Sequence, residues 1–85
     1  MKTDWLITFR SITAAQKGER QLKRADIICQ LQRTPKMLSE RGCGYCLRLR
    51  SQQGMQAVTL LREQKLSYGK VYVLEQSGAP RELEV

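Results

Sequence analysis

The chain contains no histidine. That removes the commonest general base and the commonest metal ligand, and it excludes a Cys-His nucleophilic pair within the chain. Cysteine is scarce and odd in number, three in all. Three thiols do not complete a tetrahedral zinc site, and Cys29 stands far in sequence from Cys43 and Cys46. Neither a resident metal nor a disulfide scaffold is expected, and a reducing, cytoplasmic setting is. No apolar run approaches the roughly 20 residues needed to cross a bilayer. The polar start, Met1-Lys2-Thr3-Asp4, carries no signal-peptide core, so no membrane association is expected. Acidic residues are outnumbered, 8 against 15 basic ones, for a formal net charge of +7. That balance suits an acidic partner, whether nucleic acid, an anionic small molecule or another protein, and does not choose among them.

What is present suits one domain with one modest core: 85 residues, of which 41% are hydrophobic and 27% charged. Asp4 to Phe9 is short and rich in β-branched and aromatic residues, and reads as a strand buried on both faces over part of its length. Ile12 to about Arg24 reads as a helix, with Ser11 or Thr13 as N-cap and a capping box at Thr13 and Gln16. Ala15, Gly18, Leu22 and Ala25 fall on one face, and Gly18 in mid-helix implies close approach to a sheet. Ile27 to Arg33 alternates as a second strand, with Cys29 facing the core. Tyr45 to Arg50 alternates as a third, with Leu47 and Leu49 inward and Cys46, Arg48 and Arg50 on the other face. Gln53 to Gln64 reads as a second helix burying Ala57, Val58, Leu61 and Met55. Gly69 is placed for positive φ before a fourth strand, Lys70 to Glu75. Residues 1–75 form the expected domain and 76–85 a flexible tail. The order βαββαβ implies an α+β, ferredoxin-like sandwich: a four-stranded antiparallel sheet with both helices on one face. A monomer and a homodimer are equally compatible with this pattern.

The stretch Arg33 to Arg50 concentrates the chemistry. Cys43 lies between Gly42 and Gly44, and Cys46 closes a Cys-Gly-Tyr-Cys unit. Flanking glycines leave backbone N–H groups open and permit positive φ. With Lys36, Arg41 and Arg48 nearby in sequence, they favour thiolate, the reactive form. The Cys-x-x-Cys spacing also fits a dithiol redox pair. Yet strand-like residues follow it, so the two thiols would point to opposite faces unless the chain turned at Gly44. A third reading is RNA binding. Arg41-Gly-Cys-Gly-Tyr-Cys-Leu-Arg48 matches the third-strand motif of RNA-recognition domains at its first, second, fourth and fifth positions. It departs where Cys43 and Arg48 replace stacking rings, leaving Tyr45 as the platform, with Tyr72 or Trp5 as helpers.

Pro35-Lys36 with Leu38-Ser39, then Cys43-Gly44, then Leu47-Arg48, resembles the small bacterial family of Se/S carrier-like proteins. The first strand ending in Phe9, followed by Ser11, is similar to that family too. The resemblance spans roughly residues 4 to 75. It departs at Lys36, where the family has Arg, at Arg41-Gly42, which lengthen the loop, and at Cys46, where a small residue is usual. It implies that Cys43 is the carrier thiol, with Pro35 and Gly44 shaping the loop; Ser39 and Gly42 are further candidate loop residues. It also implies a persulfide or selenopersulfide on Cys43 in place of any cofactor, and donor and acceptor proteins as partners. Carrying such an adduct needs a nucleophilic thiolate, an accessible tip and positive surroundings, and no histidine or metal.

Overall fold

The computed structural model describes residues 3–34, 44–66, 68–74 and 80–83. They form five strands and two helices: β1 (Asp4–Phe9), α1 (Ile12–Arg24), β2 (Cys29–Arg33), β3 (Tyr45–Arg50), α2 (Gly54–Glu63), β4 (Val71–Leu74) and β5 (Pro80–Leu83). A short 3-10 turn, Ser51–Gln53, leads into α2. The sheet runs β2-β3-β1-β4-β5 and every neighbouring pair is antiparallel.

Alternation decides which residues meet the helices. Trp5, Ile7 and Phe9 of β1, Leu47 and Leu49 of β3, Cys29 of β2 and Val71 and Val73 of β4 join one core. Ala15 and Leu22 of α1 and Ala57, Val58 and Leu61 of α2 complete it, so both helices pack on the same sheet face. On the opposite face Leu6 and Cys46 are also fully buried, while Arg48 and Arg50 are exposed. β1 is therefore a central strand covered on both faces along part of its length, as its composition implies.

The four-stranded expectation is corrected by β5. Residues expected to trail as part of a tail pair with β4 from Val71↔Leu83 to Leu74↔Pro80. The features that read as a tail, a proline followed by Arg81 and Glu82, are those of a protected edge strand. Proline is tolerated as its first residue, and charges there deter pairing with another chain.

The helix ends carry local signals that the sequence partly hides. Ser11, not Thr13, caps α1: it is extended, and its hydroxyl accepts from the Ala14 N–H at 3.2 Å. Both helices end in the same hydrogen-bond pattern. Ile27 N donates to Leu22 O (2.9 Å) and Asp26 N to Lys23 O (3.1 Å). Leu66 N donates to Leu61 O (2.9 Å) and Lys65 N to Arg62 O (3.0 Å). These are Schellman closures, in which one residue turns left-handed. Here the turning residues are Asp26 (φ 62°) and Lys65 (φ 57°), not glycines.

Glycines act mainly by close approach. A Cβ on Gly18 would stand 2.9 Å from Phe9 Cζ, which bears out the expected tight packing of α1 on the sheet. Gly54 lies against the indole of Trp5 with no room for a methyl group. Gly69 does not take the expected positive φ. Its N–H donates to Thr8 O at 2.6 Å, and a Cβ there would be 2.6 Å from Thr8 Oγ1. Met55, expected inside, is 57% exposed, because the apolar stripe of α2 follows Ala57, Val58 and Leu61 instead.

Candidate functional site at the β2–β3 turn

β2 and β3 stay in register to their ends: Arg33 pairs with Tyr45, and Thr34 N donates to Gly44 O at 3.1 Å. This pairing closes the base of the segment 35–43. Pro35, Lys36, Ser39, Arg41, Gly42 and Cys43 lie in that segment, outside the described residues. Gly44 is described, at φ +145°, a conformation that side-chain-bearing residues rarely adopt. A Cβ there would sit at 3.5 Å from both Phe9 O and Thr34 Oγ1, so backbone conformation and not crowding asks for glycine.

Cys46 is the second residue of β3, paired with Thr8 and Gln32 on the helix-free face. Its side chain is fully buried, although Arg48 and Arg50 on the same face are exposed. The thiol donates weakly to Arg33 O, 3.9 Å away. Burial raises its pKa above the ordinary 9.0, and the nearby Thr34, Gln32 and Arg48 side chains only partly offset this. Thr34 Oγ1 is itself buried and lacks a hydrogen bond by geometry, so its pull on the Cys46 proton is weak. Cys29 also has a raised pKa, from burial first and then the Glu19 carboxylate, against which Lys23 acts. Both described thiols are free of disulfides, and both are held as neutral SH groups at pH 7.

Arg48 was expected to lend charge to the reactive thiol. Its Nε lies 2.7 Å from Asp4 Oδ2, four residues along β3 from Gly44. The rings considered for RNA stacking divide in two. Tyr45 packs against the helix-side core and Trp5 belongs to it, whereas Tyr72 pairs with Leu6 and Glu82 on the helix-free face. That face offers one aromatic ring among the described residues, flanked by carboxylates at Asp4 and Glu82. Among the described residues no group of three or more His, Cys, Asp or Glu side chains could hold a metal ion. No helix among them is long and apolar enough to cross a membrane.

The sequence reading passed over the cations around the base of this turn. Arg10 follows Phe9, which pairs with Tyr45; Arg33 pairs with Tyr45 from the other side; and Lys70 is bonded to Thr8 through three hydrogen bonds, 2.7, 2.9 and 3.1 Å. Their clustering follows from the strand order, which no local pattern reveals.

Residues 4–73 match the family described as "Putative Se/S carrier protein-like". The chain belongs to this family. The match spans β1 to β4 and takes in the whole segment 33–50. Neither a curated protein nor a solved structure matches the chain at a significant level. Membership in a Se/S carrier-like family agrees with donor and acceptor proteins as the general class of partner.

Proposed function

We propose that the protein carries sulfur or selenium as a persulfide or selenopersulfide on Cys43. Family membership carries this reading, and the state of the two described thiols supports Cys43 as the residue that acts. Cys29 and Cys46 are buried with raised pKa values, so at neutral pH they are poor nucleophiles. That leaves Cys43, between two glycines and next to Arg41-Gly42, as the thiol for the chemistry. In the transfer step the Cys43 thiolate attacks the outer sulfur of a donor persulfide, R–S–SH. A new S–S bond forms on Cys43, the donor S–S bond breaks, and the donor leaves as its thiolate. No external oxidant or reductant enters. A selenopersulfide donor, R–S–SeH, follows the same course through selenium. Delivery is the reverse attack, by an acceptor nucleophile on the outer atom.

The dithiol alternative would use Cys46 to resolve the adduct on Cys43. The burial of Cys46 argues against this, because a resolving thiol must reach the adduct. The test is mass spectrometry after exposure to glutathione persulfide at pH 7. Cys43→Ser is expected to abolish the adduct, Cys29→Ser to leave it, and Cys46→Ser to leave it too. Loss of turnover in Cys46→Ser would favour the dithiol reading. An adduct on Cys29 as fast as on Cys43 would overturn the carrier reading.

A further inference from the structure

Exposed cations stand at both ends of the sheet, Arg24 at the finish of α1 and Arg50 at the finish of β3 among them, but those at the other end lie around the described base of the 35–43 segment. Toward the end formed by the start of β2 and the finish of β3, acids are interspersed with bases: Lys23 pairs with Glu19 at 3.6 Å, Arg48 with Asp4, and Asp26 stands at the finish of α1. At the other end lie Arg10 after β1, Arg33 at the finish of β2, Lys65 after α2 and Lys70 before β4. Lys17 joins them from the first half of α1, since it lines a cleft of about 350 Å³ together with Ser11, Thr13, Ala14, Lys65 and Leu66. All five cations are exposed. Arg10, Lys17, Arg33 and Lys65 make no ion pair among the described residues, while Lys70 meets Glu82 at 3.6 Å.

Register brings this group to the root of the Cys43 segment. Arg33–Tyr45 and Tyr45–Phe9 are direct partners across β2-β3-β1, and β4 follows on the far side of β1. At about 4.8 Å per strand, Arg33, Gly44, Arg10 and Lys70 span roughly 14 Å along one sheet end. Exposed charges of one sign within such a distance raise the local potential for an incoming anionic surface and speed its encounter. The sheet end has no exposed ring among the described residues that would stack a base. Tyr45 is packed against the core, and Tyr68 accepts from Arg62 Nε at 3.1 Å. The chemistry is that of a charge-matched protein contact.

We propose that this sheet end, with Arg10, Lys17, Arg33 and Lys65, docks an acidic surface of the protein that gives cargo to Cys43 or takes it away. The partner's role as donor or acceptor rests on the carrier reading; the docking itself does not. Arg10 and Arg33 stand at the sheet end where Thr34 and Gly44 bound the 35–43 segment, so a partner docked there meets that segment.

The test separates the two. Full-length Cys43→Ser protein, which can take no cargo there, is titrated with a dye-labelled, Glu-rich peptide, with its Gln-rich counterpart as control. Binding to the acidic peptide alone is expected, weakening about tenfold or more as salt rises from about 0.02 to about 0.2 M. The triple variant Arg10→Glu/Arg33→Glu/Lys65→Glu should abolish it. Arg20→Glu/Arg24→Glu/Arg50→Glu, with the same change in net charge, should leave most of it. The Gln versions of the first three positions, checked by circular dichroism, guard against misfolding and should weaken binding about tenfold. Equal losses in both triple variants would mean that net charge alone acts, and would overturn the proposal. So would tighter binding of a single-stranded oligouridine that depends on the same residues, which would assign the surface to nucleic acid. If the peptide binds as stated but wild-type Cys43 takes no persulfide, the docking surface stands and the carrier reading falls.

Discussion

The Cys46 thiol donates to the carbonyl oxygen of Arg33 at 3.9 Å, across the last paired residues of β2 and β3. A sulfur held this way, fully buried and next to a carbonyl dipole, is better off protonated. Gln32, Thr34 and Arg48 pull the other way without prevailing. The site therefore places a quiet thiol three residues after the one proposed to react.

Alkaline stability follows from this. Cys29 and Cys46 have pKa values raised above 9.0 in the folded chain. Their neutral forms favour the fold, and this contribution is fully present below the unfolded-state value. Above it the unfolded chain binds fewer protons than the folded one, so stability falls as pH rises. Denaturant midpoints measured from pH 7 to about 10.5 should decline, and Cys29→Ala/Cys46→Ala should show a shallower decline. An identical slope in the double variant would show that the thiols do not drive it.

Gly54 offers a sharper mutational test. Its backbone is ordinary right-handed helix (φ −59°, ψ −52°), so alanine is conformationally welcome there. The Trp5 indole occupies the space a methyl group would need. Gly54→Ala should destabilise by about 1–3 kcal/mol through overpacking, with a change in Trp5 fluorescence, since Trp5 is the sole tryptophan. Gly18→Ala should cost less. Phe9 Cζ is 2.9 Å from the added atom but is the far end of a ring that can tilt, and alanine regains about 1 kcal/mol of helix propensity.

The two helix ends give a prediction of opposite sign. Asp26 and Lys65 hold left-handed conformations in their Schellman closures. Glycine would adopt them without the Cβ penalty of roughly 1–2 kcal/mol, against a loss of about 0.4–1 kcal/mol from a more flexible unfolded chain. Lys65→Gly should therefore raise stability by up to about 1 kcal/mol, whereas Lys65→Val should lower it by about 1–2 kcal/mol. Asp26→Gly should gain less, because aspartate tolerates this region better than lysine. Thermal melts of the four proteins decide it.

These closures show where the sequence was legible and where it was not. Alternation in Tyr45 to Arg50 and the spacing of Ala15, Gly18 and Leu22 are repeated local signals, and they placed β3 and α1 residue by residue. A helix end without glycine carries no such signal; Asp26 and Lys65 became left-handed because Ile27 and Leu66 must turn back onto the core. β5 was missed because an edge strand is written in charges and proline, the vocabulary of a tail. At the candidate site, the Cys-Gly motif was readable in the sequence, and the family through the resemblance of Pro35-Lys36, Leu38-Ser39, Cys43-Gly44 and Leu47-Arg48 to its motif. The burial of Cys46, on the sheet face away from the helices, depends on what surrounds Thr8 and Gln32 and was not. Nor was the cluster of Arg10, Arg33 and Lys70, which only the order β2-β3-β1-β4 assembles.

Gly44 joins stability to the proposed chemistry. It is hydrogen-bonded to Thr34, holds φ +145° and comes directly after Cys43. The space beside it would accept a methyl group at ordinary contact distances, 3.5 Å from Phe9 O and Thr34 Oγ1. Any cost of Gly44→Ala is therefore conformational, about 1–3 kcal/mol for a residue forced into a region rarely used by side-chain-bearing residues. Part of that strain can be relieved by turning the peptide that joins residues 43 and 44, which would reorient the Cys43 thiol. The variant should thus lose stability and also take up persulfide more slowly than wild type when both are fully folded, as measured by adduct mass against time in the absence of denaturant. Cys46→Ala is the comparison. It removes a buried side chain and should destabilise by about 1 kcal/mol, yet leave the rate of adduct formation unchanged. If Gly44→Ala loses stability but keeps the wild-type rate, the glycine serves the hairpin alone and does not orient the carrier thiol.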